Sequence, residues 1–191
     1  MCMKAEAKTD IPHAPRLLVE LEVRDRDGKV IQRHKQEGKS FLYGFMLILY
    51  ELFSGDTSPN APNPNNNCTP ASMGSTGNPI FSVLAPSGND SYGILIGSGT
   101  QSNTTSTCSL QSPISNSTVS YGQTQFNGGV NANSNNNTVN FQIQRQFTNN
   151  SGSSVTVSEV GLAIQGGGVY PVIARDVLSS SVSVPNGGTL T

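Results

Sequence analysis

Hydrophobic and polar positions alternate from residue 16 to residue 24. Leu17, Val19, Leu21 and Val23 fall on one side, and Glu20, Glu22 and Arg24 on the other. A period of two over this length, with β-branched members, predicts a half-buried strand. Asp25-Arg26-Asp27-Gly28 reads as a turn with glycine where a positive φ is wanted, and residues 29–33 read as the returning strand. The period then changes. Ser40 is a suitable N-cap, and residues 41–53 are apolar except for Gly44 and Glu51. This pattern predicts a helix that is apolar all round, which cannot lie on a surface facing water. At roughly 1.5 Å per residue it is too short to span a bilayer. A two-stranded hairpin cannot cover every side of such a helix, so the remainder must be hidden by the C-terminal part or by neighbouring subunits. Phe41, Tyr43, Phe45, Leu47, Leu49, Tyr50 and Phe53 are therefore the expected assembly interface.

Residues 55–80 break the pattern with Pro59, Pro62, Pro64 and Pro70 and the run Asn65-Asn66-Asn67. Prolines at this density exclude a helix and a central strand, leaving a linker or an arm. From Phe81 the units are short and strand-like. Gly93-Ile94-Leu95-Ile96-Gly97 is an apolar run bounded by glycines. Residues 138–147 alternate, with Val139, Phe141, Ile143, Arg145 and Phe147 on one face. Val155 and Val157 share one phase and Val160, Leu162 and Ile164 the other, which predicts a β-bulge or a strand exchange near Glu159. Residues 169–178 and 181–184 complete the set. The pattern predicts a mainly β chain, a hairpin plus one apolar helix followed by an antiparallel β-sandwich or jelly-roll-like domain. The divisions expected are a tail at 1–15, a hairpin–helix module at 16–54, a linker at 55–80 and the β domain at 81–191.

Charge sharpens this division. Charged residues are only 12% of the 191 residues, about half the usual share. Beyond residue 56 the only ones are Asp90, Arg145, Glu159, Arg175 and Asp176. So few charges exclude a coiled coil, an acidic tail and a basic nucleic-acid binder. The opening fifteen residues have no apolar run behind their lysines, so no export signal is read there, and no stretch is long and apolar enough for a membrane span. Arg145 falls on the apolar face of its strand. A buried guanidinium left unpaired costs too much, so Arg145 is expected to form a structural ion pair with Glu159 or Asp176, a binding role being the alternative.

Candidate chemistry is sparse. Glu37-Gly38-Lys39-Ser40 suggests a phosphate loop, but Arg33 stands where the motif needs its first glycine. Gly97-Ser98-Gly99 follows a strand but precedes no helix, so a dinucleotide fingerprint is not supported. His13 and His34 have no neighbours at metal-ligand spacing. Cys68 and Cys108 could bridge and pin the linker to the β domain, or remain free, with Cys2 left over. Six N-x-[ST] sequons, at Asn67, Asn89, Asn103, Asn116, Asn136 and Asn149, read as products of an Asn/Ser/Thr-rich composition. No catalytic, cofactor-binding or metal-ligating residue is expected, and the chain reads as no enzyme.

Three stretches carry a resemblance: Arg145-Gln146-Phe147-Thr148-Asn149-Asn150-Ser151-Gly152, Val157-Ser158-Glu159-Val160-Gly161-Leu162 and Ile173-Ala174-Arg175-Asp176-Val177-Leu178. With Arg24-Asp25-Arg26-Asp27-Gly28-Lys29-Val30 and Ser40-Phe41 upstream, their order resembles the β-rich module of tailed-phage virion structural proteins. The resemblance implies a non-enzymatic capsid-decoration or tail-associated component. Its partners would be identical subunits and other virion proteins, with no direct nucleic-acid contact, and it would be assembled in the host cytoplasm. Such modules close with a further strand after the stretch matching residues 185–191. That strand is expected either to be short or to be completed by a neighbour through β-augmentation. Two other readings stand beside this one. They are an extracellular filament or pilus subunit assembled by strand donation, and a glycan- or receptor-binding β-sandwich module.

Overall fold

The alternating segment forms β1 (Leu17–Arg24), and the chain returns as β2 (Val30–Gly38). The turn is closed by the Asp25 carboxylate, which accepts the amides of Asp27 and Lys29, and Gly28 adopts the expected positive φ of 81°. The computed structural model describes residues 16–38, 41, 42, 44–46, 49, 60–62, 70–72, 82–104, 106–133 and 138–191. Within these the remaining strands are β3 (Asn60–Pro62), β4 (Pro70–Ser72), β5 (Gly93–Gly97), β6 (Val119–Tyr121), β7 (Gln125–Phe126) and β8 (Asn131–Asn133). They are followed by β9 (Thr138–Asn140), β10 (Ile143–Gln144), β11 (Phe147–Asn149), β12 (Val155–Ala163), β13 (Val172–Val184) and β14 (Thr189–Leu190). The chain is mainly β, and its sheets are antiparallel.

Two sheets supply the core. One has the order β2-β1-β14-β11-β6 and the other β13-β12-β5. Val19, Leu21 and Val23 of β1 join Tyr121, Phe147 and Leu190 of the first sheet in one buried cluster with Ile96, Val157, Leu178, Val182 and Val184 of the second. Strands of the hairpin and of the C-terminal part thus share one cluster and one sheet. β14, within the stretch 185–191, lies between β1 and β11. At the expected phase change the pairing of β12 with β13 shifts register between Val157 and Glu159. β12 stays paired with β13 on both sides of the shift, so this is a bulge and not an exchange between sheets.

Two expectations need correction, and a short ladder lies within 55–80. Residues 138–147 are not one strand. They divide into β9, β10 and the start of β11, because β9 and β10 pair with β8 and β7 while β11 enters the main sheet. Within 55–80, β3 and β4 pair as a short ladder that includes Pro62 opposite Pro70, a two-stranded arrangement that tolerates missing amide donors. Finally, no apolar helix is found among the described residues of 41–53. Residues 44–46 and 49 are helical, but Phe41 is bridged to Ala174 and the Leu42 amide donates to the Ile173 carbonyl at 2.8 Å. The stretch thus begins as sheet edge rather than as a capped helix. Ser40, Tyr43, Leu47, Tyr50 and Phe53 lie outside the described residues.

Candidate functional site

Buried charge is the first place to look for chemistry in a chain with so little of it. Arg145 is 2% exposed, just before β11. Its Nε donates to the Gly122 carbonyl at 2.8 Å, and Nη1 donates to the carbonyls of Tyr92 and Ile94, each at 3.0 Å. Nη2 reaches the Pro86 carbonyl at 3.4 Å and the Asn89 carbonyl. The guanidinium carbon sits 4.6 Å from the Tyr121 ring centroid, a cation–π contact in a buried site. Arg145 is buried as expected, but not against Glu159 or Asp176. Backbone carbonyls of the 86–94 loop converge on it and disperse its charge over several partial charges, so no carboxylate is required. Burial pulls the guanidinium below its ordinary value, opposed by the fields of Tyr121, Asp90 and Tyr92. Burial also pushes the Tyr121 hydroxyl up to about 12, and that hydroxyl donates to the Ile114 carbonyl at 2.5 Å.

The buried ion pair of this fold is instead Arg175–Glu159, between neighbouring strands β13 and β12, with Nε to Oε2 at 2.6 Å. Glu159 is fully buried, and its carboxylate also accepts the amides of Gly99 (3.1 Å), Gln111 (3.0 Å) and Ser112 (2.7 Å). Arg175 Nη1 donates to the Gln101 carbonyl at 2.9 Å and to the Asn103 side chain, which returns a bond to the Arg175 carbonyl at 2.7 Å. The pair therefore clamps the loop after β5 onto the second sheet. Gly97 and Gly99 make the approach possible, since a Cβ at either would lie 2.4 or 2.6 Å from Glu159 Oε1. The two glycines of the Gly-Ser-Gly motif thus make room for the buried carboxylate. A small cavity of about 200 Å³ opens beside Gln101, Thr104, Thr107, Gln111 and Arg175. Arg175 Nη2 has no hydrogen-bond partner, but it is sealed from solvent.

Asp176, the other proposed partner of Arg145, is 4% exposed and accepts from Gln36 Nε2. That contact belongs to a device along the outer edge of β13. The Gln36 amide donates to the Val177 carbonyl at 3.0 Å and accepts the Ser179 amide at 2.8 Å. Four residues earlier on β2, Gln32 repeats the pattern with the Ser181 carbonyl (3.2 Å) and the Ser183 amide (3.0 Å). With the bridge of Phe41 to Ala174 and the Leu42 amide, these groups engage the carbonyls of Ile173, Val177 and Ser181 and the amides of Ser179 and Ser183 along the β13 edge. The signal in the sequence was the half-buried polar phase Gln32, His34, Gln36. It also explains why β2 runs beyond Arg33, where an apolar period is no guide. His34 bonds Gln36 Oε1 at 2.7 Å and so belongs to the same row.

Of the expected assembly residues, Phe41 is 38% exposed and stacks on half-buried Phe45 at 4.4 Å between centroids. Leu49 is half-buried; Leu42 and Met46, outside the expected set, are buried and 60% exposed respectively. Cys108 is disulfide-bonded, and Cys68, its expected partner, lies outside the described residues. Among the described residues no cluster of three or more His, Cys, Asp or Glu is placed to hold a metal, and no helix is long and apolar enough to cross a membrane. No protein-family profile, no curated protein and no solved structure matches the chain.

Proposed function

We propose that this chain is a non-enzymatic structural subunit of a virus particle, a capsid-decoration or tail-associated component that assembles with copies of itself. The observation that carries the reading is the apolar segment leaving β2. Met46 is 60% exposed beside buried Leu42, and Phe41, stacked on Phe45, is still 38% exposed. Large apolar side chains grouped in this way mark an interaction surface. The buried ionisable groups Arg145, Glu159 and Arg175 are engaged by backbone groups of the loops they hold, as expected of a scaffold. The two sheets are read as a β-sandwich, with β2 laid along β13 through Gln32 and Gln36. The motif resemblance to phage virion modules supplies the particle as the setting. Strand donation, the basis of the filament alternative, is disfavoured at β13 because the chain's own glutamines occupy that edge.

Electron microscopy of native material tests the setting. Subunit density on a phage head, neck or tail is the expected result. Filaments without any nucleic-acid-containing particle would overturn it in favour of the pilus reading.

A further inference from the structure

The tripeptide Asn-Gly-Gly occurs twice in the sequence, at residues 127–129 and 186–188. An asparagine followed by glycine carries its own modification chemistry. The glycine nitrogen can attack the asparagine Cγ and close a five-membered ring, and glycine has no Cβ to hinder the approach. Sequence alone makes the two sites equivalent, but the fold does not.

Asn186-Gly187-Gly188 is pinned by hydrogen bonds. The Gly187 amide, the nucleophile of the ring closure, donates to the Asn149 carbonyl at 2.7 Å. Asn186 Oδ1 accepts the Gly152 amide at 2.9 Å, and the Gly188 amide donates to the Pro185 carbonyl at 2.9 Å. Asn149 is itself fully buried, its side chain donating to the carbonyls of Ser153 and Val184, each at 2.8 Å. Ring closure here has to break bonds at both reacting groups and disturb the entry to β14.

Asn127-Gly128-Gly129 follows β7, and all three residues are exposed. The Gly128 amide has no acceptor among the described residues. Gly128 has a φ of 83°, and a Cβ on it or on Gly129 would meet nothing within 4 Å, so the turn has room to move. The Asn127 main-chain amide donates to the Gln142 carbonyl at 2.9 Å. Its side chain holds on through Nδ2 alone, at 3.3 Å from Gln142 Oε1, and Oδ1 accepts nothing from the described residues. The electrophile is therefore anchored beside a nucleophile that is not.

We infer that Asn127 is a site of spontaneous deamidation in the folded protein, through a succinimide formed with Gly128, and that the fold protects Asn186. The Gly128 nitrogen loses its proton and bonds to Asn127 Cγ. The Cγ–Nδ2 bond breaks, and Nδ2 leaves as ammonia. Water, the one co-reactant, then opens the ring at either carbonyl to give aspartate or isoaspartate, with no change of oxidation state. The product adds a negative charge to a chain of net charge −1, within a stretch, residues 123–144, that otherwise carries none. It also removes the Nδ2 donor to Gln142.

Peptide mapping by mass spectrometry, after incubation of the folded full chain in mildly alkaline buffer, reads conversion at each site. Asn127 should convert about tenfold or more faster than Asn186. In denaturant the two rates should come together, because only the fold separates them. Isoelectric focusing should show the leading acidic species growing in the wild type and missing from Asn127→Gln, which changes an exposed side chain. Equal rates at the two sites in the folded chain would overturn the inference, as would an intact Asn127 when the unfolded chain has converted. A rate difference that persists in denaturant would also overturn it, since neighbours in sequence would then set the difference.

Discussion

Arg145 and Glu159 show how far single residues can be read. That a lone arginine on an apolar face would be buried followed from its alternation, and so did its need for partners. Which partners it takes did not follow, because backbone carbonyls are present at every residue and leave no mark on the sequence. The bulge at Glu159 was legible as a phase change. The Gly97-Ser98-Gly99 clamp was not, since small residues beside a distant carboxylate have meaning only once the loop is folded. Tyr121 gives a test at this scale. Its folded pKa of about 12 lies above the ordinary 10.0, mainly through burial, so folding favours the neutral phenol. The stability this contributes is complete below about pH 10 and is lost as pH rises through 12, on the order of 2 kcal/mol at full titration. Tyr121→Phe should therefore be less pH-sensitive than the wild type over that interval in denaturant unfolding. Parallel pH profiles would contradict the account.

Elements were legible where burial imposes a period, and obscure where amides replace apolar groups. β1 and its turn were read from alternation. β2 was cut short because its inward phase is Gln32, His34 and Gln36. Residues 138–147 alternate as a single strand would, because alternation alone does not say when a chain changes partner. The apolar stretch at 41–53 has the pattern of a helix, whereas Phe41 and Leu42 pair with β13; the expected cap, Ser40, lies outside the described residues. The glutamine row has a measurable consequence. Gln36→Ala leaves the Val177 carbonyl, the Ser179 amide and the Asp176 carboxylate without that partner, and should cost about 1–3 kcal/mol in unfolding free energy. Hydrogen exchange at Ser179 should quicken in the variant. Gln36→Glu keeps the length but loses the donor, so it should not rescue. Full stability in either variant would mean that water replaces the side chain.

At the scale of the molecule, the outer face of the hairpin is wet and charged, with Lys35–Glu20 at 2.5 Å and Arg33–Glu22 at 2.9 Å in cross-strand pairs. Surface pairs of this kind add little stability but keep that face soluble. Apolar side chains are exposed there too, at Leu18 and Ile31, and elsewhere at Phe41 and Met46. The uneven distribution of charge pointed to two parts, and the structure distributes it as one charged face on a sheet that both parts build. Association through the surface at Phe41 and Met46 is the central claim. It is tested most directly by the mass of the purified full chain as a function of concentration, for the wild type and for Phe41→Glu/Met46→Glu. The account predicts a discrete oligomer for the wild type and a smaller, folded species for the variant. A wild-type monomer at every concentration, or a variant that assembles unchanged, would contradict it.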